Sequence, residues 1–138
     1  MKEVTLAIIK PDAYKNGNSG KIIDRIISEG FTINGMKQIH LTKKDAEGFY
    51  EIHRERPFFD ELTSFMSSGK CVVLSLEREN AVAKWREVIG ATNPEEADNG
   101  TIRAEFGTNT GSNAVHGSDS SENGMLESNY FFAQKDLI

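Results

Sequence analysis

With 138 residues, 38% of them hydrophobic and 27% charged, the chain has the make-up of an ordinary globular protein, which excludes the disordered and fibrous classes. That length suits one compact domain spanning residues 1–138 and burying roughly 68–70% of its unfolded surface. A net charge of -5 argues against a broad nucleic-acid-binding face and would repel a free nucleotide, so any phosphate site has to be a local pocket drawn from the 16 basic residues.

Residues 4–9 form a continuous apolar run of strand length, stopped by Pro11 and by turn chemistry in Asn16-Gly17-Asn18-Ser19-Gly20. Ile22, Ile23, Ile26 and Ile27 recur at helical spacing, and Gly30 is a natural stop. A second strand is expected over 31–41, with Ile33, Ile39 and Leu41 as inward positions. Thr42 and Asp45 resemble a capping box opening a helix that runs to about Arg54. Pro57 interrupts it, and Phe58, Phe59, Leu62, Phe65 and Met66 mark a short amphipathic helix. A third strand over 71–76 and a helix over 80–89 follow. The stretch 90–112 is rich in Gly, Asn and Thr, with a helical turn near 101–105. A last helix-like piece leads to a short strand expected at 130–132.

The order strand–helix–strand, then helices, then strand–helix–strand fits the split βαβ arrangement of ferredoxin-like folds. The expected class is therefore α/β in the α+β sense, a βαββαβ sandwich with a four-stranded antiparallel sheet and helices. Cys71 is the sole cysteine, set in Cys71-Val72-Val73-Leu74, and reads as a small buried apolar residue in a reducing compartment. No apolar run approaches the ~20 residues that a membrane-spanning helix needs, and a cytoplasmic location without membrane attachment is expected.

Three histidines are present. His116 sits in Asn113-Ala114-Val115-His116-Gly117-Ser118-Asp119, where imidazole is followed by glycine, a hydroxyl and a carboxylate. A neutral imidazole is a competent nucleophile near pH 7, and the glycine would permit close approach of a phosphate. Ser118 and Asp119 would suit the N-terminus of the next helix. A purely structural histidine followed by a helix cap fits the same residues. Glu127 lies eleven positions on; along one straight helix it would sit ~16 Å away, so contact requires the chain to reverse near Gly117. Spacing alone favours a solvated glutamate on a helix face.

Lys10, Arg56, Arg86 and Arg103 are the candidate cations. Arginine suits phosphoryl transfer because its planar fork holds two phosphate oxygens, yet each of the four taken singly fits a surface charge better. Gly17-Asn18-Ser19-Gly20-Lys21-Ile22 imitates a phosphate-binding loop but has two residues between glycines where four are needed. Ile22 also replaces the magnesium-binding hydroxyl, so the segment reads as a turn into a helix. His40 and His53 lack metal-ligand spacing, and no protein-held metal is expected.

The chain resembles the nucleoside diphosphate kinase family from end to end. The resemblance is carried by Thr5-Leu6-Ala7-Ile8-Ile9-Lys10-Pro11-Asp12, by Phe49-Tyr50 and Arg56-Pro57-Phe58-Phe59, by Gly90-Ala91-Thr92-Asn93-Pro94 and by Gly100-Thr101-Ile102-Arg103. Its strongest piece is the segment around His116. It implies a ping-pong enzyme that passes the γ-phosphate of a nucleoside triphosphate through His116 to a nucleoside diphosphate. By resemblance, Glu127 and Tyr50 would buttress the histidine and Ser118 would assist. Arg86, Thr92 and Arg103 would hold phosphates with His53 close by, and Lys10 and Asn113 would contact the ribose. Phe58 would stack on the base, with Leu62 and Thr110 lining that slot. Mg2+ would ride mainly on the nucleotide phosphates, and the assembly would be a homo-oligomer, tetramer or hexamer.

Gly124, Met125, Ser128 and Asn129 depart from the Ala, Arg and Ile usual in the family's helix around Glu127, and Asn123-Gly124 is a poor helix interior. Two further readings compete: a silent nucleotide-binding or regulatory module, and a ferredoxin-like interaction domain with no nucleotide site. A binder has no need of a nucleophile, and a scaffold leaves the pairing of Phe58 with separate cations unexplained.

Overall fold

The apolar run after the N-terminus becomes the first strand of a four-stranded sheet in the computed structural model, which describes residues 2–138. In chain order the elements are β1 (Lys2–Ile9), α1 (Pro11–Lys15), α2 (Ser19–Ser28), β2 (Thr32–His40), α3 (Lys43–Phe49), α4 (Phe59–Met66) and β3 (Lys70–Glu79). They continue with α5 (Ala81–Ile89), α6 (Ile102–Phe106), β4 (Val115–Gly117) and α7 (Ser121–Phe131). The sheet order is β2-β3-β1-β4, and every neighbouring pair is antiparallel. This is the βαββαβ sandwich expected from the pattern of elements.

β1 and β3 are central and read as unbroken apolar runs because both faces are covered. Alternate residues serve two cores. Ala7, Ile9, Val72, Leu74 and Leu76 pack with Ile22 and Ile26 of α2 and with Trp85, Val88 and Ile89 of α5. Leu6, Ile8, Cys71 and Val73 face the other way, against Ala46 of α3, Tyr50, and Phe59 and Met66 of α4. Burial pushes the Cys71 thiol up to about 11, so it is an apolar core residue at neutral pH.

One local expectation is corrected. Tyr130 and Phe131 belong to α7, and the fourth strand is the three-residue Val115–Gly117. Aromatic enrichment at 130–132 imitates a strand, but Phe131 and Phe132 pack from a helix end onto the second core. Ile33 and Ile39 both turn inward as expected, but to different cores: a register shift between Ile33 and Gly35 places Ile33 on the first core and Ile39 on the second. One extra residue in a strand inverts the alternation beyond it. The five residues of α1 begin with Pro11, whose missing N–H costs nothing at a first helical position. The capping box of Thr42 and Asp45 forms as expected. Among the described residues, no helix is long and apolar enough to cross a membrane.

Candidate active site

The site is organised by β4, a short edge strand. His116 lies opposite Ile8 in the β1–β4 ladder, so its side chain shares the face that Ile8 presents to the second core. Its main-chain carbonyl accepts a hydrogen bond from Trp85 Nε1 at 3.0 Å, and Val115 O accepts one from Arg103 Nη2 at 2.9 Å. Both donors brace an element that has only three ladder pairs of its own.

Before β4, Ala114 adopts a left-handed backbone with φ 74, a conformation costing a non-glycine residue ~1 kcal/mol or more. Asp12 holds that turn by accepting from the Ala114 N–H at 3.0 Å, and the Lys10 N–H donates to Ala114 O at 2.8 Å. The turn aims Asn113 inward. Its Oδ1 accepts from Lys10 Nζ at 2.8 Å, and its Nδ2 donates to Thr92 O at 3.0 Å.

After β4 the chain reverses through residues 118–120, and α7 packs back over the same sheet face. Glu127 Oε1 thereby comes to 2.9 Å from His116 Nε2, with both side chains largely covered. The same oxygen accepts from Ser118 Oγ at 2.7 Å, and that hydroxyl accepts from the Leu6 N–H at 3.0 Å. The solvated-glutamate reading of Glu127 is thus overturned by tertiary packing. Ser118 and Asp119 do not cap the helix: Ser120 does, accepting from the Asn123 N–H at 3.1 Å.

Glycine explains both anomalies around this turn. A Cβ on Gly124 would lie 2.1 Å from Val4 O, so the poor helix former is what lets α7 approach β1 closely. A Cβ on Gly117 would lie 2.7 Å from Trp85 Cδ1, so the space beside this glycine on the α5 side is taken by indole. The expected room for phosphate is not what Gly117 provides there.

His116 opens into a cleft of about 720 Å³ also lined by Lys10, Tyr50, His53, Phe58, Leu62, Thr92, Arg103, Thr110 and Asn113. All of these are residues singled out in the sequence. Arg86 lines an adjoining cavity of about 400 Å³ that shares Thr92 and Arg103 with the cleft. Phe58 is 46% exposed, a large aromatic presenting a free face at the cleft wall. The Phe49 ring meets the imidazole edge-on at 5.5 Å between centroids.

Electrostatics follow from burial. Lys10 is driven down to about 8, first by burial and then by Arg103, with Asp12 opposing. Burial and the neighbouring Arg86 lower Arg103 to about 10, which leaves it cationic at neutral pH. His116 lies below the ordinary imidazole range: burial dominates, Glu127 pulls the other way, and Lys10 and Arg103 add to the lowering. Its ring is therefore neutral at pH 7. Because Glu127 takes Nε2, the other nitrogen, Nδ1, has no hydrogen-bond partner among the described residues and keeps its lone pair. Burial, and secondarily Glu127, raises the Tyr50 hydroxyl far above its usual range, so it stays a neutral phenol.

A nucleophile, two cations and an exposed aromatic wall thus converge on one cleft. The model of the family described as nucleoside diphosphate kinase matches residues 3–137. Relatives bearing that name include one from Helicobacter pylori, 58% identical over 137 residues that cover 99% of this chain and 100% of that protein. Another, from Geotalea uraniireducens, is 57% identical over 136 residues, 99% of each chain. Among solved structures, an Aquifex aeolicus nucleoside diphosphate kinase superposes with a TM-score of 0.98 at 48% identity, covering 100% of both chains. A Halobacterium salinarum enzyme of the same name, solved in complex with CDP, gives 0.95 at 33% identity over 100% of this chain and 92% of that one.

The chain belongs to the nucleoside diphosphate kinase family. Its activity is accordingly that of a phosphotransferase between nucleotides. Sequence reasoning gave no role to four residues that the fold brings to the cleft or to the elements bracing it: Trp85, Asp12, Phe49 and Glu61. Trp85 and Phe49 carry ordinary core signatures, and Asp12 is one of 21 acidic residues. Only the fold marks them.

Proposed function

We propose that His116 carries the phosphate in a ping-pong nucleoside diphosphate kinase reaction, with Nδ1 as the attacking atom. The observation that carries this reading is the Nε2–Glu127 contact, which leaves Nδ1 as the available nucleophile. In the first half-reaction Nδ1 attacks the γ-phosphorus. The N–P bond forms as the bridging P–O bond breaks, and the electron pair leaves on the β-phosphate oxygen. Positive charge gained by the imidazole is shared with the Glu127 carboxylate, itself held by Ser118. In the second half-reaction a terminal oxygen of another nucleoside diphosphate attacks the same phosphorus, and Nδ1 recovers its electron pair.

Arg103, fixed by two carbonyls, presents its remaining N–H groups, among them a buried Nε without a partner. With Arg86, Thr92 and His53 it would neutralise the phosphates, where charge on the equatorial oxygens makes cationic stabilisation the main contribution. Lys10 and Asn113, linked to each other, would bind the ribose hydroxyls. Phe58 would stack on the base between Leu62 and Thr110, a contact every base can make. The buried Tyr50 hydroxyl, also unpartnered, would support the histidine site. Mg2+ would arrive on the substrate phosphates: the cleft offers two cations against a single carboxylate, a donor set that suits a metal held by the nucleotide. The same reading takes residues 1–138 as one cytoplasmic domain acting as a homo-oligomer, with sedimentation to distinguish tetramer from hexamer.

Incubation with γ-labelled ATP tests the reading. An acid-labile, alkali-stable label on the protein that GDP discharges is expected. ATP binding without label would indicate the silent module, and no binding the interaction domain. Retention of substantial turnover by His116→Ala would overturn the assignment.

A further inference from the structure

Glu61 is the only acidic residue among those lining the cleft. A carboxylate is out of place where three phosphates must bind, so its position within the cleft matters. The cations Lys10 and Arg103 lie with His116 at one end, whereas Glu61 belongs to α4 and follows Phe58 by three residues. That spacing puts the two side chains on neighbouring positions of one helical face, ~5–6 Å apart at Cβ. Neighbouring Asp60 is committed to Lys43 at 2.7 Å, but Glu61 makes no ion pair or hydrogen bond among the described residues. It is exposed, uncommitted and turned to the cleft.

We propose that Glu61 is a specificity-determining residue that favours guanine nucleotides over adenine nucleotides. The inference rests on the reading of Phe58 as the base-stacking wall. With sugar and phosphates held at the Lys10 and His116 end, a stacked base extends its hydrogen-bonding edge away from the sugar, along α4 towards Glu61. An ionised carboxylate can only accept hydrogen bonds. Guanine offers it two adjacent donors, N1–H and the 2-amino group. Adenine offers one amino group beside the N1 lone pair, which the carboxylate repels. Hypoxanthine keeps N1–H and lacks the amino group. Stacking on Phe58 supplies affinity for any base, and the carboxylate adds a bias. Being open to water, it discriminates at the low end for a paired polar contact, about fivefold.

The experiment loads the protein with labelled phosphate and measures its single-turnover discharge by GDP, IDP and ADP, alongside calorimetric affinities for the same three diphosphates. The expected order is GDP, then IDP, then ADP. Glu61→Ala should bring the GDP-to-ADP ratio to within about twofold of unity, and Glu61→Gln, which keeps the shape and removes the charge, should lower it below the parent value. A ratio that Glu61→Ala leaves unchanged, or a parent protein that treats ADP as well as GDP, overturns the inference. Failure to acquire label at all would sink the phosphohistidine reaction instead, and the calorimetric ratio would still decide the role of Glu61.

Discussion

The reactivity proposed for His116 follows from what surrounds each of its ring nitrogens. Nε2 is tied to Glu127, Nδ1 faces the cleft, and burial keeps the ring neutral. Since its pKa lies below the ordinary range, kcat/KM should persist on acidification past the point at which an ordinary imidazole takes up its proton. The alkaline side belongs to Lys10, which is cationic below its value of about 8 and loses its proton above it. The expected profile falls as pH rises through about 8, and Lys10→Arg should displace that limb upward, because a guanidinium holds its proton to higher pH than an ammonium does. A limb unmoved in that variant would remove Lys10 from the profile. Trp85 acts one step further back, through the His116 carbonyl. Trp85→Phe keeps an aromatic ring there and deletes the donor. It should lower kcat on the order of tenfold with nucleotide affinity unchanged, since misplacing the nucleophile affects only the chemical step. Equal losses in kcat and affinity would point to general disruption.

At the level of elements, α7 shows how local preference yields to packing. A glycine inside a helix costs ~1 kcal/mol against alanine, so Gly124→Ala should stabilise α7 taken alone. In the folded protein the new methyl would meet Val4 O, a main-chain atom of a central strand that cannot move aside cheaply. Gly124→Ala is therefore expected to destabilise by ~2 kcal/mol, lowering Tm by roughly 5–10 °C, and to weaken turnover by shifting Glu127. Thermal denaturation together with phosphorylation kinetics checks both. An unchanged Tm would mean that α7 does not lie this close to β1. β4 makes a similar point: three residues of strand are too few for a periodic signal, yet they place His116.

Across the whole molecule, an excess of acidic groups coexists with a cleft whose inner end is cationic. On the proposed reading, ligand charge is met locally by Lys10 and Arg103, and binding should couple to global stability. ADP at 100 times its dissociation constant stabilises by ~2.7 kcal/mol, a rise in Tm of roughly 7–13 °C. His116→Ala should retain most of that rise while losing all label transfer, because the nucleophile contributes to the reaction more than to ground-state binding. Arg103→Ala should lose both, with kcat/KM down about 100-fold. A full thermal shift in Arg103→Ala would exclude its guanidinium from the phosphate site.

Much of this was legible in the residues themselves. Continuous apolar runs at β1 and β3, isoleucines at helical spacing in α2 and the Thr42–Asp45 box depend on near neighbours, so they announce strand, helix and cap directly. The motif around His116 and the scattered cations made the chemistry readable through resemblance. Other features depend on residues distant in sequence. The bulge that separates Ile33 from Ile39 belongs to the pairing of β2 with β3, and the true fourth strand and the bond from Trp85 to His116 arise only when β4 docks beside β1 and α5. Above all, the eleven residues between His116 and Glu127 specify a separation along the chain and nothing about distance in space. The reversal at 118–120, and the absent side chain at Gly124, turn that separation into a 2.9 Å contact.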